Sequence, residues 1–316
     1  MSPRSGRARG STRGVERFAE ALRDARRRIP ASQALAAGWD PLSALYHFGT
    51  KDVGWLEGAA DEAFEASQRR RARVDPPPDP FKRTRGHGRP LDIPEYTGQF
   101  PDVLLSRRTW RGFGTRPLRS VQLGALLDLS FGAQMAGRPL TGGRVLFKTS
   151  PSGGACHPTE AYVLTLRVNA VPRGLYHYSP RTSRLHLIRK GASRQQVVDY
   201  LAGQQWFRGA AAIVLMTAVL PRLWYRYAQP RAYRAALLEA GHVCQTFCLV
   251  ATWLDLAPFC TMALDDSRIE RDLKIDGVSE VVLYAAGVGS KPADGRWVQW
   301  PGHRPVPKRS TAGLRR

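Results

Sequence analysis

The sequence predicts an α+β fold with a mixed central sheet flanked by helices, and three stretches predict it. Tyr162, Leu164, Leu166 and Val168 alternate with Val163, Thr165 and Arg167, the period-2 pattern of a strand. Turn signals at Pro172-Arg173-Gly174 and Ser179-Pro180 then set off Leu175-Tyr176-His177-Tyr178 and Leu185-His186-Leu187-Ile188, making a meander. Ala210 to Leu220 is apolar without alternation, as a strand covered on both faces is. Beyond it, Tyr233, Leu237, Ala240, Cys244, Phe247, Ala251 and Leu254 recur at helical spacing between Pro230 and Pro258. Meander strands mixed with long helices belong to the α+β class.

Taken in order, residues 1–30 read as a disordered basic leader without apolar periodicity, carrying nine arginines against three acids. Residues 31–99 form an extension. It is partly helical around Trp39, Leu45-Tyr46-His47-Phe48 and Trp55-Leu56, and carries a linker from Arg69 to Pro80, where three consecutive prolines exclude regular structure. The main domain is expected over 100–296. Ser120 is placed to cap a helix whose apolar face is Val121, Leu123, Leu126, Leu127 and Phe131. After the long helix come a strand (Phe259 to Leu264), a short helix (Ser267 to Leu273) and a strand (Val281 to Val288). Residues 297–316 form a basic tail.

The 316-residue chain is 43% hydrophobic, enough for a sizeable core, and carries a formal charge of +22, mostly from arginine. The charge gathers at the two ends, which argues for mobile tails rather than a nucleic-acid surface. The four cysteines (Cys156, Cys244, Cys248, Cys260) make no disulfide framework. The arginine-rich start has no apolar core of a secretory signal, and the longest apolar run is too short to span a bilayer. A soluble, cytoplasmic protein without nucleic-acid or membrane partners is expected.

Two clusters carry the chemistry. Pro151-Ser152-Gly153-Gly154 opens a loop that runs through Cys156-His157-Pro158 into the first meander strand. Adjacent glycines let backbone amides approach a flat or anionic ligand, and the prolines stiffen the approach. Upstream, Arg107, Arg108 and Arg111 with Thr109 are suited to phosphate, because guanidinium forks match phosphate oxygens bidentately. Neither a G-x-G-x-x-G nor a P-loop is present, and the glycines precede a strand rather than a helix, which argues against Ser152 as a nucleophile. Cys244 and Cys248 lie four apart on one helical face with His242 displaced around it. They read as buried structural cysteines, with no metal site expected. Trp224-Tyr225-Arg226-Tyr227 reads either as a packed connector or as a site wall whose tyrosine acts as acid or base beside an arginine.

Together these motifs resemble the nitroreductase superfamily, and within it the SagB-type, thiazole/oxazole-forming peptide dehydrogenases. The RRSxRxF start is similar to Arg107-Arg108-Thr109-Trp110-Arg111-Gly112-Phe113, and the P-S-x-G-x-x-x-P-x-E-x-Y loop to Pro151 through Pro158, Glu160 and Tyr162. The G-L-Y-x-Y hairpin appears as Gly174 to Tyr178, E-A-G-H-x-x-Q as Glu239 to His242 with Gln245, and Y-H-x-x-T-K as Tyr46-His47 with Thr50-Lys51. The closest subgroup is the set of peptide-maturation dehydrogenases, and the match covers about residues 40–290. The resemblance implies a nitroreductase-like, FMN-dependent fold, usually a homodimer with flavin at the subunit interface. It places Arg107, Arg108, Thr109 and Arg111 on the cofactor phosphate, completed by Lys291 or Arg296. Pro151, Ser152, Gly153 and Gly154 would cradle the ring, with Gln245 and Thr261-Met262-Ala263 along its border.

The implied activity is oxidation of an azoline ring to an azole in a precursor peptide, with cyclodehydratase or other maturation proteins as partners. A base takes the ring Cα proton, hydride leaves Cβ for the flavin, and oxygen or another acceptor reoxidises it. One departure matters. Family members carry a Lys-Tyr pair as candidate acid and base where this chain has Arg226-Tyr227, and arginine stays protonated. Tyr227 with Arg226 beside it therefore becomes the expected catalytic pair. Two alternatives stay open: a flavoenzyme reducing nitro, quinone or dehydroamino-acid substrates, or a flavin-less scaffold delivering a peptide.

Overall fold

Strand β6 (Ala212–Val219) is the axis of the molecule, because its alternate side chains feed two different cores. The computed structural model describes residues 12–52, 96–138 and 145–295. The expected linker at 69–80, Trp55-Leu56, Arg296 and the basic tail fall outside them, as do residues 1–11 of the leader. Val214 and Met216 of β6 join a core with Leu126, Leu127 and Phe131 of α5 (Ser120–Phe131) and with Val243 and Phe247 of α8 (Ala232–Trp253). Ile213 and Leu215 turn to the opposite side, where Val197 of α6 (Arg194–Tyr200) and Ile269 of α9 (Asp266–Leu273) cover them. A sheet buried on both faces needs apolar residues at every position, which explains the missing alternation in 210–220.

The sheet order is β5-β4-β3-β6-β8-β7, with β3 at Thr159–Thr165, β4 at Gly174–Ser179, β5 at Arg184–Lys190, β7 at Leu256–Thr261 and β8 at Glu280–Ser290. A second, two-stranded sheet pairs β1 (Met135–Gly137) with β2 (Val145–Phe147). Every pair in the six-stranded sheet is antiparallel, which corrects the expected mixed sheet. Apolar patterning reports which faces are buried, whereas strand direction depends on how distant segments return to the sheet.

Other expectations shift for local reasons. Ser120 is the first helical residue, not the cap. Arg119 takes the cap position, and its backbone N–H donates to the Gln122 side chain at 3.1 Å. Val121 faces outward while Leu123, Leu126, Leu127 and Phe131 are buried. Pro258 does not end the long helix. The chain turns at Asp255, whose backbone is left-handed (φ 57°), and Pro258 sits inside β7. An edge strand tolerates a residue without an N–H, and the Pro258 carbonyl still accepts from Trp110 N–H at 2.9 Å. α8 has the length and composition of a membrane-crossing helix, but its apolar side is used on α5 and the sheet.

The largest correction is at the N-terminus, where the expected disordered leader contains a 16-residue helix, α1 (Thr12–Arg27). It lies against α3 (Pro41–Thr50). The two backbones approach so closely that a Cβ at Gly49 would lie 2.7 Å from Ala25 Cβ. Asp40 caps α3 by accepting from the Leu42 and Ser43 amides, and Pro41 fits the first turn, whose amide needs no partner. α2 (Ala31–Ala36) and α3 then share a core with β6, α8 and α7 (Pro221–Trp224). Trp39 is its centre. It stacks on His47 at 5.1 Å, meets Trp224 edge-on at 5.8 Å, and donates Nε1–H to the Val278 carbonyl at 2.8 Å. Burial pushes the His47 imidazole down to about 3, so it is neutral while hydrogen-bonded to the Tyr233 hydroxyl at 2.8 Å.

A charged clasp ties the same region to α9. Lys51 pairs with Glu270, Asp52 accepts from Ser267 N–H at 2.9 Å, and Asp266 accepts from Asp52 N–H at 3.2 Å. Burial, with the neighbouring Asp52 and Glu270 carboxylates outweighing Lys51, pushes the Asp266 carboxyl up to about 7. The native state therefore holds this proton more tightly than the unfolded chain, so its stabilising effect is full below about pH 4 and fades as pH rises towards 7. Asp266→Asn should remove that slope and raise stability at pH 8 by about 1–2 kcal/mol. Urea unfolding at pH 4 and pH 8 checks this, and a less stable Asn variant at pH 8 would contradict it.

Candidate active site

The loop from Pro151 to His157 is held from behind so that its glycine face is presented forward. Ser152 Oγ accepts the His157 amide at 2.9 Å, which gives the serine a structural rather than a nucleophilic task. Gly154 has φ 59°, a left-handed backbone that glycine adopts without strain. On α8, His242 Nδ1 reaches the Pro151 carbonyl at 3.2 Å, and the Thr246 hydroxyl meets Ser150 Oγ at 2.6 Å. Gln245, one position before Thr246 on the helix, is exposed.

The connector after α7 closes on the glycines. A Cβ built at Gly154 would lie 2.5 Å from the Tyr227 hydroxyl and would collide with Arg226 Nε. Both expected catalytic side chains thus sit where only glycine leaves room, and the Arg226 guanidinium lies 6.0 Å from the Tyr227 ring centroid. Tyr227 is 37% exposed, so the phenol borders solvent and loop together. Gly154→Ala should strain the backbone and displace both side chains, lowering turnover at least about tenfold, roughly 1.4 kcal/mol of barrier. Steady-state kinetics beside a thermal unfolding curve checks this, and unchanged turnover in the folded variant would contradict it.

A polar network that sequence reasoning left unassigned fixes the connector. Arg222 of α7 pairs with Glu160 Oε1 at 2.6 Å and donates to the His157 carbonyl at 2.9 Å. The other Glu160 oxygen bonds His177 Nε2 at 2.8 Å. Burial alone would raise the Glu160 carboxyl, but His177 and Arg222 outweigh it and hold it below the ordinary carboxylate range. Glu239, also buried, accepts the Thr159 amide at 3.2 Å, and its second oxygen has no hydrogen-bond partner among the described residues. Burial holds the nearby Lys148 ammonium below its usual value against Glu160 and Glu239. A carboxylate in an otherwise apolar strand, two residues after a proline, was the sequence signal for Glu160.

The expected phosphate residues gather beyond the end of α4 (Gln99–Ser106). Arg107, Arg108 and Thr109 are half-buried, Trp110 is buried and Arg111 is exposed. Arg108 donates to the Leu105 carbonyl at 2.7 Å. Arg107 and Arg111 form no ion pair with any described residue. Lys291 joins them from the end of β8, lying 5.8 Å from the Trp110 ring and pairing with Asp255 at 2.5 Å. The guanidinium groups of Arg107 and Arg111, without an ion pair among the described residues, beside a lysine are a donor set that fits a phosphate.

Arg107 is within electrostatic reach of Cys248 on α8, while the glycine loop docks at His242 and Thr246 of that helix. Six residues of helix advance about 9 Å, so the two halves of the site lie along one rigid rail. Met262 is exposed and Ala263 buried just after β7, fixed by the Gln204 amide, which donates to Thr261 Oγ1 and the Ala263 carbonyl, both at 3.1 Å.

Comparison with known proteins shows the family of the chain and the fold it shares. The sequence model of the nitroreductase family matches residues 104–290. A Methanocaldococcus jannaschii protein named "Putative nitroreductase MJ1384" is 34% identical over 191 residues, 60% of this chain and 90% of the relative. The trifolitoxin-processing protein TfxB of Rhizobium leguminosarum bv. trifolii is 29% identical over 147 residues, 45% of this chain but only 39% of TfxB. Among solved structures, a chain of the E. coli microcin synthetase McbBCD complex with truncated pro-MccB17 bound gives a TM-score of 0.53. It is 20% identical over 70% of this chain and 81% of that one, a likeness of fold.

Proposed function

The chain belongs to the nitroreductase family of oxidoreductases, and we propose that within it the protein is an FMN-dependent, SagB-type dehydrogenase of peptide maturation, converting azoline rings of a precursor peptide to azoles. The observation that carries this reading is the meeting of Tyr227 and Arg226 over Gly154, which puts a phenol and a fixed positive charge on the glycine loop. The similarity to TfxB, named for processing trifolitoxin, supports a maturation role.

In this reading Arg107, Arg108, Thr109, Arg111 and Lys291 bind the cofactor phosphate. Pro151 to Gly154, Gln245, Met262 and Ala263 line its ring system. When bound, the flavin supplies the hydride acceptor. Tyr227 as its phenolate would take the Cα proton and become the phenol, and Arg226 stays charged and favours the phenolate beside it. Arg222, anchored by Glu160, holds the turn that presents both side chains. A cleft of about 700 Å³ begins two residues beyond Tyr227, with Tyr46, Tyr233 and Leu237 on its apolar walls and Arg231 and Arg234 among the lining groups. It suits an extended peptide with acidic residues, delivered to a homodimer by maturation partners.

A second reading, reduction of nitro, quinone or dehydroamino-acid substrates, draws on the name of the Methanocaldococcus relative and on the absence of a lysine at Arg226. Cofactor identity is the first test. Protein purified and denatured should release one FMN per chain, separable from FAD by chromatography. A colourless protein that takes up no added FMN would end both readings.

A further inference from the structure

Three of the four cysteines converge at one point, and the fold explains how. Cys244 and Cys248 are four residues apart on α8, so they share the face turned into the core. In β7 the side chains alternate. Phe259 enters the core covered by α6 and α9, and Cys260 therefore faces α8. The three sulfur atoms lie within 4.8 Å of one another; Cys244 and Cys248 are buried and Cys260 is partly accessible. Around a metal with thiolate bonds of about 2.3 Å, sulfurs stand about 3.8–4.0 Å apart, a distance that small rotamer adjustments reach from here.

We propose that Cys244, Cys248 and Cys260 form a three-thiolate site for Cu(I). Among the described residues no fourth histidine, cysteine or carboxylate joins the set. Zinc takes four protein ligands, or three with a water in an open fourth position, whereas soft thiolates also suit Cu(I), which needs no such water. The surroundings suit the charge this site would hold. Arg107 lies within electrostatic reach of Cys248 and Cys260, and the Tyr284 hydroxyl hydrogen-bonds Cys260. On binding, the thiols release their protons to solvent and three S–Cu bonds form with no change in oxidation state of sulfur or copper. The partly accessible Cys260, on the edge strand, is the point of entry. The site does not depend on the flavin reading.

The full-length protein, reduced and stripped of metal, is titrated with Cu(I) against a chromogenic Cu(I) chelator, and its copper-edge X-ray absorption is then recorded. The expected result is one chelator-resistant copper per chain with three sulfur neighbours. Cys260→Ser should weaken binding at least tenfold, and Cys156→Ser, outside the cluster, should leave it unchanged. No retained copper, fewer than three sulfurs around it, or equal weakening by Cys156→Ser would overturn the proposal. The absorption spectrum decides on the wild-type protein even where a cysteine variant folds poorly.

Discussion

Tyr227→Phe lowers turnover on an azoline peptide by about 10²–10⁴-fold, the usual contribution of a positioned acid or base, and leaves the flavin bound. The phenyl ring keeps its place beside Arg226, so only the oxygen over Gly154 is lost. Single-turnover kinetics, with the visible spectrum recorded on the same sample, separates the two effects. Retained turnover would remove Tyr227 from the proton transfer and move attention to Lys148, whose ammonium burial holds low. A colourless variant would instead show that the hydroxyl supports the cofactor.

The second large effect lies at the other end of the site. Arg107 and Arg111 meet no carboxylate among the described residues, so their charge is available to an anion. Charge-assisted hydrogen bonds contribute roughly 1.5–3 kcal/mol each. The double variant Arg107→Gln with Arg111→Gln should therefore bind FMN about 100-fold more weakly. Arg173→Gln, on an exposed turn, should bind it normally. Fluorescence titration with FMN measures both, and equal affinities across the three proteins would place the phosphate elsewhere.

Much of this architecture was legible because burial leaves a direct mark on composition. The meander, the twice-covered strand at 212–219 and the long helix each fall where the apolar spacing puts them. α1 was hidden by its arginines, although Leu22 and Ala25 keep the three-residue spacing of a helix face. Sheet direction was not legible. β3 pairs with β6 and β6 with β8 across long intervening segments, and alternation is the same for either direction.

The site divides in the same way. Adjacent glycines and clustered arginines are chemical signals that a sequence displays locally. The approach of Tyr227 to Gly154, more than seventy residues away, and that of Cys260 to α8 come from tertiary packing and strand register. Glu160 was visible only as part of a motif. Its task, joining Arg222 to His177 beneath the connector, appears once three elements are assembled.

Anaerobic mixing of the purified holoenzyme with an azoline-containing peptide tests the central claim most directly. The flavin absorbance should bleach in a single turnover while the peptide loses two hydrogen atoms and gains an azole. Bleaching by NAD(P)H alone, with the peptide recovered unchanged, would contradict it.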